Sequence, residues 1–147
     1  MRLPGLLPKP KRVYVDAKIL NVHDPTLARK AYVGYLVDRD GRLGVRQVEE
    51  TESDDAEVRA ILFAILELKD TIGHMTIICD HESVVAEANK EEVRNPSPLM
   101  RELRETLKKN RKTICLQGLQ ANPAHGIVTA FVNALKEGQA ETPQSRK

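Results

Sequence analysis

Between residues 12 and 50 the chain carries three short runs rich in β-branched and aromatic positions, RVYVDAKIL (12–20), KAYVGYLV (30–37) and LGVRQVEE (43–50). Runs of this kind predict strands. DRDG (38–41) supplies a turn between the second and third, so the three form an antiparallel meander. The period then lengthens: from 55 to 70 apolar residues recur at helical spacing, with Ile61, Ala64, Ile65 and Leu68 on one face. MTIICD (75–80) predicts a fourth strand, joined to the meander most naturally by a parallel crossover. Helices are expected over 82–93, ending before NPSP, and over 98–109; a fifth strand, KTICLQGL (112–119), and a helix over 126–137 complete the pattern. The order βββαβααβα predicts an α/β fold: a mixed five-stranded sheet, three-strand antiparallel meander plus two parallel strands, flanked by helices.

A chain of 147 residues fits one domain that needs no staples. The first ten residues carry three prolines and a glycine and the last ten are polar without period. The expected organisation is an N-terminal tail over 1–10, a domain over 11–137 and a C-terminal tail over 138–147. No apolar run approaches the length that crosses a bilayer and none reads as a signal peptide, so the expectation is a cytoplasmic protein with no membrane partner. Cys79 and Cys115 each sit in an apolar run and read as reduced core residues. The net charge of +2 is too small to imply a partner, but basic residues cluster at Lys9, Lys11 and Arg12 and again at Lys108, Lys109, Arg111 and Lys112. Either cluster reads as a phosphate contact or as solvated surface.

The acidic residues change the picture more. Strand period puts Tyr14 with Asp16, and Ile78 with Asp80, each aspartate closing an apolar run. If the first and fourth strands are parallel, both aspartates fall at the carboxyl-end edge, where open α/β sheets place ligands. The helix after the meander begins at that edge and delivers Glu57 there. Three carboxylates within about 4 to 5 Å repel by roughly 3 to 4 kcal/mol per pair at an effective dielectric of about 20. Such a set calls for a cation, and hard oxygen donors suit Mg²⁺ or Mn²⁺. Each residue also has a structural reading: Asp54 and Glu57 have the spacing of a capping box, and Asp16 and Asp80 could be strand-end residues.

VYVDA, VGYLVDRDGRL, DAEVRAILFAILEL, IICDHESVV and NPAHGIVTAFVNAL together resemble type 1 ribonuclease H over 12–137. The resemblance implies a ribonuclease H-like fold and hydrolysis of the RNA strand of an RNA/DNA hybrid by two divalent ions, Mg²⁺ or Mn²⁺. Carried over by position, it gives Asp16, Glu57 and Asp80 as metal ligands and catalytic residues. It also puts Ala17, Lys18 and His81 against nucleic acid, where the family has glycine, a small polar residue and serine, with the Lys108, Lys109, Arg111 and Lys112 cluster as a further contact. RNA would be told from DNA by its 2′-hydroxyls. His125 falls near a mobile histidine of bacterial members that aids proton transfer or product release; a plain loop histidine is the other reading.

The fourth acid of the family has no counterpart. The last helix offers Thr129 in one register and Asn133 in another, both neutral, so weaker metal binding is expected. Two functions therefore stay open: a metal-dependent endonuclease of the ribonuclease H kind, and a non-catalytic nucleic-acid-binding or interaction module on the same fold. His23 and His74 receive no role, and a nucleophilic triad of Ser83, His81 and Asp80 is set aside because sequence neighbours rarely converge in the required geometry.

Overall fold

The computed structural model describes residues 9–118 and 123–140, with the side chains of His125 and 135–140 outside that description. The elements in order are β1 (Lys11–Leu20), β2 (Lys30–Val37), β3 (Leu43–Val48), α1 (Ser53–Leu68), β4 (Met75–Cys79), α2 (Glu82–Asn89), α3 (Pro98–Lys109), β5 (Ile114–Gly118) and α4 (Ala124–Ala140). The five strands form one sheet in the order β3-β2-β1-β4-β5. β2 pairs antiparallel with β1 and β3, while β4 pairs parallel with β1 and β5, which is the mixed sheet that the pattern of runs predicts.

The sheet has two covered faces. Val13, Val15, Ile77 and Cys79 point to the side covered by α1, α2 and α3 and belong to the main core. α1 lies between the sheet and α3, so it is buried on more than the predicted stripe: Val58, Leu62 and Phe63 join Ile61, Ala64, Ile65 and Leu68. Tyr14 and Ile78 point the other way, against Ala124 of α4, and Tyr32 meets Val128 and Val132 of the same helix. α4 comes very close to the sheet at Gly34, where a Cβ would stand 2.6 Å from Val128 Cγ2. Glycine at that position is what lets the helix seat.

Local chemistry sets the boundaries. The 38–41 turn places Arg39 and Gly41 in the left-handed region, and Asp40 accepts from Lys11 Nζ at 2.7 Å and from both Arg42 Nε and Nη2 at 2.8 Å. Those cations hold the Asp40 carboxyl well below the usual carboxylate range. α2 stops at Asn89 rather than 93 because Lys90 is extended, with φ −67 and ψ 147. Pro98 opens α3 behind Ser97, whose hydroxyl accepts from the Met100 N–H at 3.1 Å. β5 begins at Ile114, two residues later than predicted, because Lys112 and Thr113 are used in the turn that leaves α3. Cys79 is a buried core thiol as expected, whereas Cys115 is exposed: it points to the face opposite the buried Ile114 and Leu116, and α4, on that face, packs against β1 and β2. α4 extends beyond the expected 126–137 at both ends, to 124 and 140. Residues 1–8 and 141–147, where the tails are expected, fall outside the described residues. No helix among the described residues is long and apolar enough to cross a membrane.

Candidate metal centre

Three acidic side chains reach the carboxyl-end edge of β1 and β4 by different routes. Asp16 is not at a strand end: it lies inside β1, opposite Gly34, and β1 runs on to Leu20. Its pairing with β2 continues past Asp16, but its pairing with β4 stops at Val15 and Cys79. The sheet edge is therefore local to the β1–β4 seam, and Asp16 stands at it although its own strand continues. Asp80 directly follows Cys79, the last residue of β4. Glu57 comes from α1 and is 7% exposed, while Asp16 is 3% exposed.

Glu57 is not half of a capping box. α1 begins at Ser53 with Glu52 as N-cap, and no side chain caps the helix there. With the helix starting that early, Asp54 falls in the first turn and Glu57 turns inward, accepting from the Ala17 backbone N–H and lying with Oε1 3.6 Å from Cys79 Sγ. Burial, then the charges of Asp16 and Asp80, push the Glu57 carboxyl up to about 8. Burial likewise pushes the Cys79 thiol up. Glu57, Cys79 and Asp80 offer donor atoms that all lie within 4.8 Å of one another.

His81 opens α2 and links it to α1: its Nε2 lies 3.0 Å from Asp54 Oδ1 and its Nδ1 lies 3.1 Å from Ser83 Oγ. The carboxylate that meets this imidazole is thus Asp54 and not Asp80. Ala17 and Lys18 line a groove of about 440 Å³ together with Arg29, Thr51, Ser53 and Glu57. A larger groove of about 660 Å³ between β3, α1 and α3 contains none of the three acids. On α4, Thr129 Oγ1 is buried and has no hydrogen-bond partner among the described residues, whereas Asn133 is exposed. The side chain of His125 lies outside the description. Lys108, Lys109, Arg111 and Lys112 are all exposed, but they precede β5 and so stand at the sheet edge opposite the acids.

The donor set fits a hard divalent cation: carboxylate oxygens brought together in a largely dry site, and a raised Glu57 that a cation would relieve. Two participants were not read from the sequence. Arg29 sits in a loop without period, which gives no signal. Cys79 was legible in principle, because strand alternation turns it to the face opposite Asp80, toward the helix that carries Glu57.

Sheet order, mixed pairing and flanking helices define a ribonuclease H-like α/β fold. No family profile matches the sequence, and no curated protein matches it. Solved structures do. The chain aligns with the protease-reverse transcriptase of prototype foamy virus at TM-score 0.60 and 20% identity, over 78% of this chain but 18% of that one, so it spans less than a fifth of the viral protein. Ribonuclease H1 from the halophilic archaeon Halobacterium salinarum aligns at TM-score 0.57 and 16% identity, over 76% of this chain and 86% of that one. LC11 ribonuclease H1, isolated from compost and solved in complex with an RNA/DNA hybrid, aligns at TM-score 0.56 and 14% identity, over 74% and 84%.

Proposed function

We propose that this protein is a divalent-metal-dependent endonuclease that cleaves the RNA strand of RNA/DNA hybrids in the cytoplasm. The observation that carries the reading is the gathering of Asp16, Glu57 and Asp80 at the β1–β4 seam of a ribonuclease H-like sheet. Asp16, Glu57 and Asp80 would hold Mg²⁺ or Mn²⁺, with the Thr129 hydroxyl as a neutral fourth donor; Asn133, being exposed, is the weaker candidate. The bound ions supply Lewis-acid activation of water and stabilisation of the leaving oxygen. Lys18 and the Ala17 backbone border the groove into which the RNA strand would run. His81, fixed by Asp54 and Ser83, would flank the scissile phosphate. His125, in the first turn of α4, is assigned proton handling during turnover.

A second reading is favoured by one specific feature, the neutral residue at Thr129: a module that binds nucleic acid without cutting it. An end-labelled RNA/DNA hybrid incubated over a series of Mg²⁺ and Mn²⁺ concentrations separates the two. Cleavage by the native protein, absent from identically purified Asp16→Asn protein, is the expected result. Retention of the hybrid with no cleavage at any metal concentration would replace the nuclease with the binding module.

A further inference from the structure

Cys79 forms part of the floor of the acidic site and has no part in hard-ion chemistry. Its Sγ is 3.6 Å from Glu57 Oε1, and it is fully buried on the α1 side of β4. In the metal-free protein that contact is a weak S–H donor to a carboxyl. The same separation has a second meaning. A tetrahedral ion with bonds of about 2.3 Å to sulfur and about 2.0 Å to oxygen sets those two ligands about 3.5 Å apart. One edge of a zinc-type coordination shell is thus already at length, and Asp80 supplies a further oxygen within 4.8 Å of both atoms. Charge points the same way: the ion pairs of the described residues go to Asp40, Glu50, Glu52 and Asp54, and none goes to Glu57 or Asp80. Among the described residues Glu57 and Asp80 thus have no basic partner, and each is a carboxyl whose charge a bound cation would offset.

We propose that Glu57, Cys79 and Asp80 form a thiophilic metal site, selective for Zn²⁺ and Cd²⁺, whose occupation blocks the hard-ion centre because the two share Glu57 and Asp80. Soft thiolate ligands favour such ions over Mg²⁺ and Mn²⁺, which take oxygen. On binding, the metal–sulfur and metal–oxygen bonds form as the Cys79 thiol proton and the Glu57 carboxyl proton pass to water, and no oxidant or reductant is involved. Sharing of ligands, though not the thiolate ligation itself, rests on the metal-centre reading given above.

The test uses the full chain carrying Cys115→Ser, which leaves Cys79 as the sole thiol. Cd²⁺ titration should raise a near-ultraviolet thiolate-to-metal charge-transfer band that saturates at one equivalent, and Cd²⁺ should displace bound Mn²⁺ seen by electron paramagnetic resonance. Adding Cys79→Ser should abolish the band and weaken Cd²⁺ binding about tenfold or more while Mn²⁺ affinity moves less than about threefold. Displacement of Mn²⁺ with no charge-transfer band, or a band that survives Cys79→Ser, would overturn the proposal. The band in the Cys115→Ser protein needs no change at Cys79, so the test stands even where Cys79→Ser misfolds. A protein that cuts the hybrid with Mn²⁺ but shows no band loses only this inference; one that binds neither Mn²⁺ nor Cd²⁺ loses the metal centre altogether.

Discussion

Glu57 concentrates the electrostatics of the site in one titration. Its folded carboxyl is pushed up to about 8 from an ordinary 4.5. Between those values the folded protein holds a proton at Glu57 that the unfolded chain has lost, so the contribution of Glu57 to metal-free stability is fullest below about pH 4.5 and falls as pH rises toward 8. Metal binding needs the carboxylate and must expel that proton. Mn²⁺ affinity is therefore expected to rise with pH up to about 8 and then level, with about one proton released per ion. Calorimetric titration in two buffers of different ionisation enthalpy measures that proton, and Glu57→Gln should remove it. Thr129 is the complementary case, a buried hydroxyl on α4 with no hydrogen-bond partner among the described residues, at the position proposed for the fourth donor. Thr129→Asp is expected to tighten Mn²⁺ binding by about tenfold, or about 1.4 kcal/mol, while lowering the melting temperature of the metal-free protein. An unchanged Mn²⁺ affinity would mean that Thr129 does not face the ions. Sequence alone carried the identity of the three acids through strand and helix period. It could not carry the surroundings: His81, next to Asp80, meets Asp54, and the Glu57 partners are Cys79 and Ala17, all contacts between segments distant in the chain.

At the scale of elements, what period determines was legible and what neighbours determine was not. β1 and β2 are buried on both faces and read correctly from their β-branched runs. The start of α1 was misplaced because the Asp54 and Glu57 spacing imitates a capping box, while the helix begins at Ser53 with no side-chain cap. Cys115 resembles a core residue in its run, yet only the seat of α4 over β1 and β2 reveals that its face of β5 is uncovered among the described residues. Gly34 shows the same dependence on a neighbour, since its need for no side chain comes from Val128 of a helix far along the chain. Gly34→Ala forces a contact of 2.6 Å with that side chain and is expected to cost about 1 to 3 kcal/mol by overpacking. Because Gly34 is also the partner of Asp16, the same substitution should loosen Mn²⁺ binding. Denaturant unfolding and metal titration on one sample check both, and a stable protein with native metal affinity would show that α4 shifts without disturbing β1.

At the scale of the molecule, the acids and the Lys108, Lys109, Arg111 and Lys112 cluster occupy opposite edges of the sheet, separated by the length of β5. Five residues at about 3.3 Å each give about 17 Å, or about five base steps at 3.4 Å. Replacing all four cations with glutamine is therefore expected to weaken binding, and flatten its salt dependence, only for hybrids that extend well beyond about six base pairs from the cut site. Equal loss with short hybrids would place the cluster nearer the site than the sheet allows. The order of the acids along the chain has another consequence. Asp16, Glu57 and Asp80 all precede α4, and α4, the last of the described elements, covers Tyr14, Ile78 and Tyr32. A nascent chain that ends before residue 124 thus already holds the three acids but leaves Tyr14, Tyr32 and Ile78 uncovered, so a ribosome stalled there would present an apolar face to chaperones and proteases.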